Sequence, residues 1–255
     1  MALLETSGLR VSIGKTRVCD ALDFSINAGD RCCMLGRNGT GKTTLLHTLA
    51  GLRAPLAGDI KLGKQSLQQL PRRTIARHIG VLFQDHNDAF PASVIETVLS
   101  GRHPWMGPLQ WESEQDYSIA RAALQAVDLD DMEQRIVTTL SGGERRRLGI
   151  ACLLTQNPQL QFLDEPTNHL DIHHQISMLE LLQQQPQHEH KALLFVMHDI
   201  NLASRYCNRF LLLFGDGESA QGTASEVLTH THLERLYQHP LQAVAGPHGT
   251  LWLPE

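Results

Sequence analysis

The chain contains 255 residues, of which 22 are Lys or Arg and 27 are Asp or Glu, giving a formal net charge of −5. This length can bury a full α/β core with one small inserted subdomain. The acidic balance argues against a general electrostatic attraction to nucleic acid or anionic lipid. The longest apolar runs, residues 192–197 and 210–214, are too short to span a bilayer and suit buried parallel strands.

The five cysteines and the first residues bear on the cellular compartment. No pair of cysteines has C-x-x-C spacing, and their surroundings are apolar or helical, which predicts reduced thiols in the core. The first residues lack a basic segment followed by an apolar stretch, so no signal peptide is expected. Both observations favour a cytosolic protein.

In chain order, the pattern predicts strands first, then helices, and then an alternation of the two. Strands are predicted over residues 3–13, 17–26, 31–35 and 79–83, with one helix over 44–52 between the last two. Helical spacing of apolar residues follows over 94–99, 113–127 and 143–155, with a loop rich in Pro, Gly and Trp over 101–111. Strands over 160–163, 192–197 and 210–214 then alternate with helices over 172–184 and 200–206. Such alternation predicts a parallel sheet with right-handed crossovers, interrupted by a helical insert.

Residues 36–43 carry the most informative pattern, because they fit the phosphate-loop pattern G-x-x-x-x-G-K-S/T at every fixed position. Glycines let the backbone curl so that several N–H groups point inward, and the following helix directs its positive dipole end to the same place. Lys42 would add a cation for the β- and γ-phosphates, and the Thr43 hydroxyl could hold Mg²⁺. The alternative, a glycine-rich turn that matches by accident, is disfavoured by the predicted strand and helix on either side.

A second anion site is predicted at the start of the helix over 143–155. Ser141 can cap this helix and Glu144 can complete a capping box, so a purely structural helix start is the alternative. Gly142 and Gly143 go beyond what a cap needs, because they permit close backbone approach to a ligand at the helix N-terminus. Two phosphate sites in a chain with one phosphate loop suggest that the sites meet across a dimer.

Polar residues at three strand ends complete the predicted chemistry. Asp164 and Glu165 end one strand, and alternation along an extended chain should point them differently, with Asp164 as Mg²⁺ partner and Glu165 as general base. Gln84 offers an oxygen to a metal and an amide to a water. His198 follows another strand, where a lone histidine is more often structural.

Taken in order, these motifs resemble the ATPase subunit of an ABC transporter, and the resemblance covers nearly the whole chain. They are residues 36–43 (Walker A), Gln84 (Q-loop), 140–144 (signature), 164–171 (Walker B and D-loop) and His198 (switch histidine). The resemblance implies an enzyme that hydrolyses ATP and acts as a head-to-tail homodimer holding two ATP molecules.

The implied fold is a P-loop ABC ATPase. It combines a mainly parallel nucleotide-binding sheet with an N-terminal antiparallel β subdomain and an inserted α-helical subdomain. A single domain over residues 1–255 is expected, with 1–86 and 158–255 forming the RecA-like core and β subdomain, and 87–157 forming the helical subdomain.

The resemblance also assigns roles to residues. ATP would be contacted by Gly36, Arg37, Asn38, Gly39, Thr40, Gly41, Lys42, Thr43 and Thr44 of one copy and by Ser141, Gly142, Gly143 and Asp171 of the other. Catalysis would use Glu165, His198, Lys42 and Gln84, with His198 on the γ-phosphate. Mg²⁺ would be held by Thr43, Gln84 and Asp164, and Asp171 would communicate across the dimer interface.

Two positions depart from the family pattern. Ile13 stands where the family usually stacks adenine on an aromatic ring, so Ile13 and Val18 are left to cover the base and weak discrimination between ATP and GTP is expected. Gln161 lies in the Walker B strand, where an apolar side chain is usual, and a buried amide there needs a partner that the sequence does not identify.

Less specific phrases resemble one transporter branch, the importers of cobalamin, ferric siderophores and haem. They lie at residues 97–104, 167–175, 198–203 and 222–228. This branch implies an integral membrane permease, a substrate-binding protein and a peripheral location on the cytoplasmic face of the inner membrane. A coupling helix of the permease would enter a groove formed by residues after Gln84, including Pro91 and the 101–111 loop. Trp105 and Trp111 are candidate contacts, unless they cap the core.

Three other functions remain as alternatives. An ABC exporter would share all the ATPase motifs. An ABC protein acting on ribosomes would be expected to carry two cassettes in one chain, whereas this chain has one. An ATPase of DNA repair or chromosome organisation would need a long coiled-coil insertion, and no heptad array occurs here. We therefore expect no nucleic-acid partner.

Overall fold

The computed structural model describes residues 2–84, 91–188, 190–246 and 249–255. Its first part is rich in strands. In chain order it contains β1 (Ala2–Ile13), β2 (Thr16–Leu22), β3 (Ser25–Asn27), β4 (Arg31–Leu35), α1 (Lys42–Leu49), β5 (Ala57–Leu62), β6 (Gln65–Ser66), α2 (Arg72–His78) and β7 (Ile79–Leu82).

Three helices come next, and strands and helices then alternate to the end of the chain. The elements are α3 (Val94–Leu99), α4 (Glu114–Ala126), α5 (Gly142–Gln156), β8 (Leu160–Asp164), α6 (Ile172–His188), β9 (Ala192–Val196), α7 (Ile200–Tyr206), β10 (Arg209–Leu213), β11 (Ser219–Gly222), α8 (Ala224–Val227), α9 (His230–Tyr237), β12 (Leu241–Gly246) and β13 (Gly249–Pro254).

The central sheet has the strand order β11-β10-β4-β9-β8-β7. Strands β10, β4, β9, β8 and β7 are parallel, and β11 joins as an antiparallel edge. Because side chains alternate along a strand, β4 directs Cys33 and Leu35 to one apolar core and Cys32 and Met34 to the other. The predicted parallel sheet is confirmed, and its buried strands read as continuous apolar runs because both faces are covered.

A second sheet is antiparallel and covers one side of the central sheet. Its order is β2-β1-β5-β6, with β3 paired to the first part of β1. Its buried residues share one core with α1, and that core also receives one face of the central sheet. Helix α1, which follows the phosphate loop, is therefore packed between the two sheets.

The helical insert lies between β7 and β8 in the chain, and its helices share the second core with the opposite face of the central sheet. Helices α3, α4 and α5 fall within two residues of the predicted bounds. All three begin with a complete capping box, from Ser93, Ser113 and Ser141. The predicted subdomain boundaries stay a prediction, and the first of them lies outside the described residues.

Other predictions were wrong or incomplete. The strand predicted over 17–26 is two strands, β2 and β3, that pair with different parts of β1. The pattern also missed β5, β6, α2 and every element after β10. The five cysteines are free, as predicted. In the described segments, no helix combines the length and apolar character needed to cross a membrane.

Candidate nucleotide-binding site

A cavity of about 410 Å³ opens at the carboxyl ends of the central strands. It is lined by Ile13, Asn38, Gly39, Gly41, Lys42, Thr43, Thr44, Gln84, Glu165 and His198. These residues come from the phosphate loop, the end of β1 and the segments that follow β7, β8 and β9. Parallel strands place their carboxyl ends at one edge of a sheet, so distant parts of the chain meet here.

The phosphate loop depends on its glycines for close packing. Gly41 has a φ of 93°, and a Cβ there would lie 2.3 Å from Cγ2 of Val18. Gly36 is equally enclosed, since its Cβ would lie 2.8 Å from the Leu213 carbonyl oxygen. Val18 is fully buried beneath the loop. The expectation that Val18 covers the base was therefore wrong, whereas Ile13 is 42% exposed and lines the cavity.

Lys42 begins α1 and extends back into the loop. Its Nζ donates to the carbonyl oxygens of Gly36, at 2.8 Å, and Arg37, at 3.1 Å. Only 6% of the residue is exposed, and this burial lowers the pKa of the ammonium, although the nearby carboxylates of Glu165 and Asp164 oppose the shift. The cation is thus held inside the curl of the loop, at the position where phosphate oxygens bind in loops of this sequence.

Asp164 is the last residue of β8 and is fully buried. Neither carboxylate oxygen has a hydrogen-bond partner in the described part of the chain. Burial raises the pKa of this carboxyl, while the nearby Thr43 hydroxyl opposes the rise. A buried carboxylate without a partner is costly unless a cation balances it.

The predicted metal ligands fit Mg²⁺ by their chemistry. Asp164, Thr43 and Gln84 offer carboxylate, hydroxyl and amide oxygens, the hard donors that Mg²⁺ prefers, and the ion usually completes its shell with substrate phosphates. Where the chain is described, no group of three or more His, Cys, Asp or Glu residues could hold a metal alone. The remaining ligands of the ion would come from nucleotide oxygens and water.

Glu165 lies just beyond the end of β8 in a left-handed conformation, with a φ of 53°. From the sequence, strand alternation was expected to point the Asp164 and Glu165 side chains in different directions. That reason was wrong, because Glu165 lies beyond the end of β8. Its Oε1 lies 2.6 Å from Nε2 of His198, and its Oε2 accepts from Nε2 of Gln84 at 3.2 Å. Such left-handed non-glycine residues are costly and concentrate at functional sites.

Two further residues support this arrangement and were missed from the sequence. Asn168 donates from Nδ2 to Oε2 of Glu165. The buried Arg146 of α5 donates to the carbonyl oxygens of Phe83 and Asp164, which joins the signature helix to the segments on either side of the cavity. Arg146 stands in a run of three arginines, a pattern typical of a solvated helix face. The sequence therefore did not indicate that Arg146 is buried.

The rest of the predicted phosphate-loop set lies in the same turn. Gly36 and Thr40 are buried, and Oγ1 of Thr40 donates to the Arg37 carbonyl oxygen at 2.9 Å. Arg37 is exposed and its guanidinium contacts Oε1 of Gln238, which ends α9. Thr40 and Arg37 therefore make structural contacts within the chain.

Ser141, Gly142, Gly143 and Asp171 do not line the cavity of their own chain. Ser141 and Glu144 form the predicted capping box, and Ser141 is exposed. A Cβ at Gly143 would lie 3.2 Å from the His169 carbonyl oxygen, so this glycine is closely packed within the chain. Asp171 is exposed and accepts from the backbone N–H of His174, at 2.9 Å, which lowers the pKa of this carboxyl.

Gln161 stays unexplained. It is fully buried in β8, between Gly80 of β7 and Leu193 of β9 in the register of the sheet. Both polar atoms of its side chain lack a hydrogen-bond partner among the residues described.

Comparison with known proteins decides the family. A family profile described as ABC transporter matches residues 19–168. The chain belongs to the ABC transporter ATPase family. It is 36% identical over 244 residues to the petrobactin import ATP-binding protein FpuD of Bacillus anthracis, covering 96% of this chain and 89% of that protein. It is also 36% identical over 239 residues to the ferric enterobactin transport ATP-binding protein FepC of Escherichia coli (strain K12), covering 93% and 88%.

A solved structure agrees with these sequence matches. A chain described as coming from a metal-chelate type ABC transporter in an inward-facing conformation superposes with a TM-score of 0.86 and 29% identity, covering 100% of this ATPase and 98% of that chain. The expected fold is confirmed, including the antiparallel N-terminal sheet and the helical insert. As an ABC transporter ATP-binding subunit, the chain binds and hydrolyses ATP.

Proposed function

We propose that this ATPase drives the import of a metal chelate, such as a ferric siderophore, haem or cobalamin, through a partner permease. The observation that carries the proposal is the similarity over more than nine tenths of the chain to relatives named for petrobactin import and ferric enterobactin transport. A relative from Nocardia farcinica, named as a haemin import ATP-binding protein, is 36% identical over 231 residues.

Within one copy, the cavity supplies the groups that hydrolysis needs. Lys42 and the inward N–H groups of the phosphate loop bind the phosphates, because fixed positive charge offsets the negative charge that develops in phosphoryl transfer. Glu165 orients the attacking water and accepts its proton, and His198 positions that carboxylate and contacts the γ-phosphate. Gln84 contacts the same carboxylate, and its position is expected to depend on whether the γ-phosphate is bound. Thr43, Gln84 and Asp164 would hold Mg²⁺, which would supply charge neutralisation at the phosphate oxygens.

The proposed active form is a head-to-tail homodimer. Ser141 and Gly142 are exposed and lie outside the cavity of their own chain, although they begin a 15-residue helix whose N-terminus suits an anion. A second copy can bring this helix end to the γ-phosphate, and Asp171 is exposed on the segment that precedes α6. Binding is then strongest while the γ-phosphate is present, so hydrolysis releases the dimer.

The proposed permease site is a second cavity, of about 340 Å³, between the end of β7 and helices α3 and α5. Phe83, Gly101, Pro104 and Cys152 are among its lining residues. A groove lined by both apolar and polar residues, next to the segment that carries Gln84, suits a short amphipathic helix of a membrane partner. Binding there places this peripheral subunit on the cytoplasmic face of the inner membrane, with a substrate-binding protein on the opposite side.

The proposal is tested by transport. The chain is assembled in lipid vesicles with a permease with which it co-purifies, and MgATP-dependent movement of ferric siderophores, haem and cobalamin is followed in both directions. Import of one of these chelates by the wild-type complex, and its loss in the Glu165→Gln complex, supports the proposal. Export of the chelate, or hydrolysis of ATP without movement of any of the three, contradicts it.

A further inference from the structure

His198 depends on its backbone for its position. Its side chain is 43% exposed, and its ring contacts Glu165 at a single nitrogen atom, Nε2. The residue lies between the end of β9 and the start of α7. A ring so weakly enclosed reaches Glu165 only if the start of α7 is itself held in place.

The first turn of α7 is a rigid unit attached to His198. The side chain of Asp199 caps the helix, accepting from the backbone N–H groups of Asn201, at 2.7 Å, and Leu202, at 3.0 Å. His198 directly precedes this cap. A shift of the first turn would therefore move the imidazole relative to Glu165.

Asn201 ties that turn to the C-terminal hairpin formed by β12 and β13. Its Nδ2 donates to the Trp252 carbonyl oxygen at 3.1 Å, and its Oδ1 accepts from the Trp252 N–H at 2.9 Å. The amide thus binds the hairpin backbone at two points in one plane, which fixes both the distance and the rotation of the helix start. Asn201 lies in the sequence phrase 198–203, of which the proposed ATPase chemistry accounts for His198 and not for Asn201.

The hairpin is held in place by contacts with the rest of the fold, so it can fix the position of α7. Trp252 is 7% exposed and belongs to the apolar core that also contains Ala203 and Tyr206 of α7. Its ring packs edge-on against His230 of α9, with 5.1 Å between centroids. The C-terminal segment also reaches the phosphate loop, since Gln238 accepts from the Arg37 guanidinium.

We infer that Asn201 is a positioning residue for ATP hydrolysis, which uses the backbone of Trp252 to hold His198 against Glu165. The inference rests on the proposed role of His198. It makes the C-terminal hairpin part of the catalytic framework, although none of the described residues of the hairpin lines the cavity.

The test uses the purified full-length chain and four variants: Asn201→Ala, His198→Ala, and two controls. Arg205→Ala changes an exposed residue of the same helix, and Leu253→Ala changes the outward face of the hairpin. Steady-state hydrolysis gives kcat and KM for MgATP, and calorimetry gives the affinity for nucleotide. The ring signals of His198, identified by their loss in His198→Ala, are followed by NMR.

In Asn201→Ala, kcat should fall about 10- to 100-fold, the effect of a displacement near 1 Å, with KM and nucleotide affinity unchanged. The His198 ring signals should shift, and both controls should match the wild type. If Asn201→Ala fails to fold, Asn201→Asp replaces it, because Asp keeps the acceptor for the Trp252 N–H. Its kcat should fall by less than the roughly 10- to 100-fold expected for alanine, and the His198 ring signals should shift.

A wild-type kcat in Asn201→Ala, or a reduced kcat with unmoved His198 signals, would overturn the inference. Wild-type turnover by His198→Ala is a separate failure, because it contradicts the proposed function of His198 itself. The NMR signals still report in that case whether Asn201 fixes the ring.

Discussion

Glu165 and His198 are 33 positions apart in the chain, yet Oε1 of the carboxylate and Nε2 of the imidazole lie 2.6 Å apart. The other carboxylate oxygen accepts from Gln84 and Asn168. Three segments therefore fix the orientation of one carboxylate, whose residue is only 8% exposed. A carboxylate held in this way is ready to orient a water molecule without further rearrangement.

Replacing this carboxylate by an amide should separate binding from turnover. Glu165→Gln should retain ATP affinity but hydrolyse ATP about 10²- to 10⁴-fold more slowly, because an amide cannot accept the proton. The variant should also accumulate as a dimer with MgATP, as measured by sedimentation. Glu180→Gln, on the exposed face of α6, is the matched control. Normal hydrolysis by Glu165→Gln, or monomers only, would refute the assigned role or the proposed dimer.

Lys42→Ala should act on nucleotide binding. Each lost charge-assisted hydrogen bond is worth about 1.5–3 kcal/mol, so the dissociation constant for ATP should rise at least tenfold. Titration calorimetry measures this change, and Lys64→Ala, in the exposed turn between β5 and β6, serves as the control. An ATP affinity in Lys42→Ala equal to that of the control would mean that the ammonium does not contact the phosphates.

The base specificity should be weak, because Ile13 is the exposed apolar residue at the cavity edge and Val18 is buried. KM for GTP should lie within about tenfold of KM for ATP, and Ile13→Tyr should bind ATP about 2- to 12-fold more tightly through stacking worth about 0.5–1.5 kcal/mol. Leu56→Tyr, at an exposed position outside the cavity, controls for added surface aromatics. A strong preference of the wild type for ATP would show that Ile13 is not the only determinant.

Trp105 and Trp111 should respond differently to alanine. Trp105 donates from Nε1 to the Gln156 carbonyl oxygen at 2.8 Å and packs against Arg77 and Arg102, so Trp105→Ala should lower the free energy of unfolding. Trp111 is 86% exposed, so Trp111→Ala should leave stability unchanged and weaken capture of the permease. Denaturant unfolding and co-purification measure the two effects. Unchanged complex formation in the double variant would contradict the proposed contacts.

The start of α4 should make stability depend on acid pH. The Ser113 hydroxyl and Arg102 lower the pKa of Asp116 from 3.8 to about 2. Because the folded-state value is depressed, this contribution is complete above the ordinary pKa and is lost as the pH falls through about 2. Asp116→Asn should therefore destabilise the protein near neutral pH, and the difference from wild type should shrink in acid.

Urea unfolding of both proteins across this range measures that difference, and Asp131→Asn, which changes an exposed carboxylate of the same insert, is the control. A difference that does not change with pH would show that Asp116 stabilises the insert through its shape and not through its charge.

The sequence alone specified the parts of the protein that depend on neighbouring residues. The phosphate loop was readable because its glycines, Lys42 and Thr43 occupy consecutive positions between an apolar strand and a helix. The capping box of Ser141 and Glu144 was readable for the same reason, and so were the parallel strands. By contrast, the exposed hairpin β12–β13 has weak alternation, and its apolar residues face both the core and solvent.

Only the tertiary structure decided which distant residues meet. Gln84 contacts Glu165 across 81 positions, and Asn201 contacts Trp252 across 51. These pairs depend on the order of strands in the sheet and on where the C-terminal hairpin packs, and neither is encoded in local spacing. The physical reason is that hydrogen-bond partners are chosen by proximity in the folded chain, whereas periodicity and motifs record only what each segment buries or exposes.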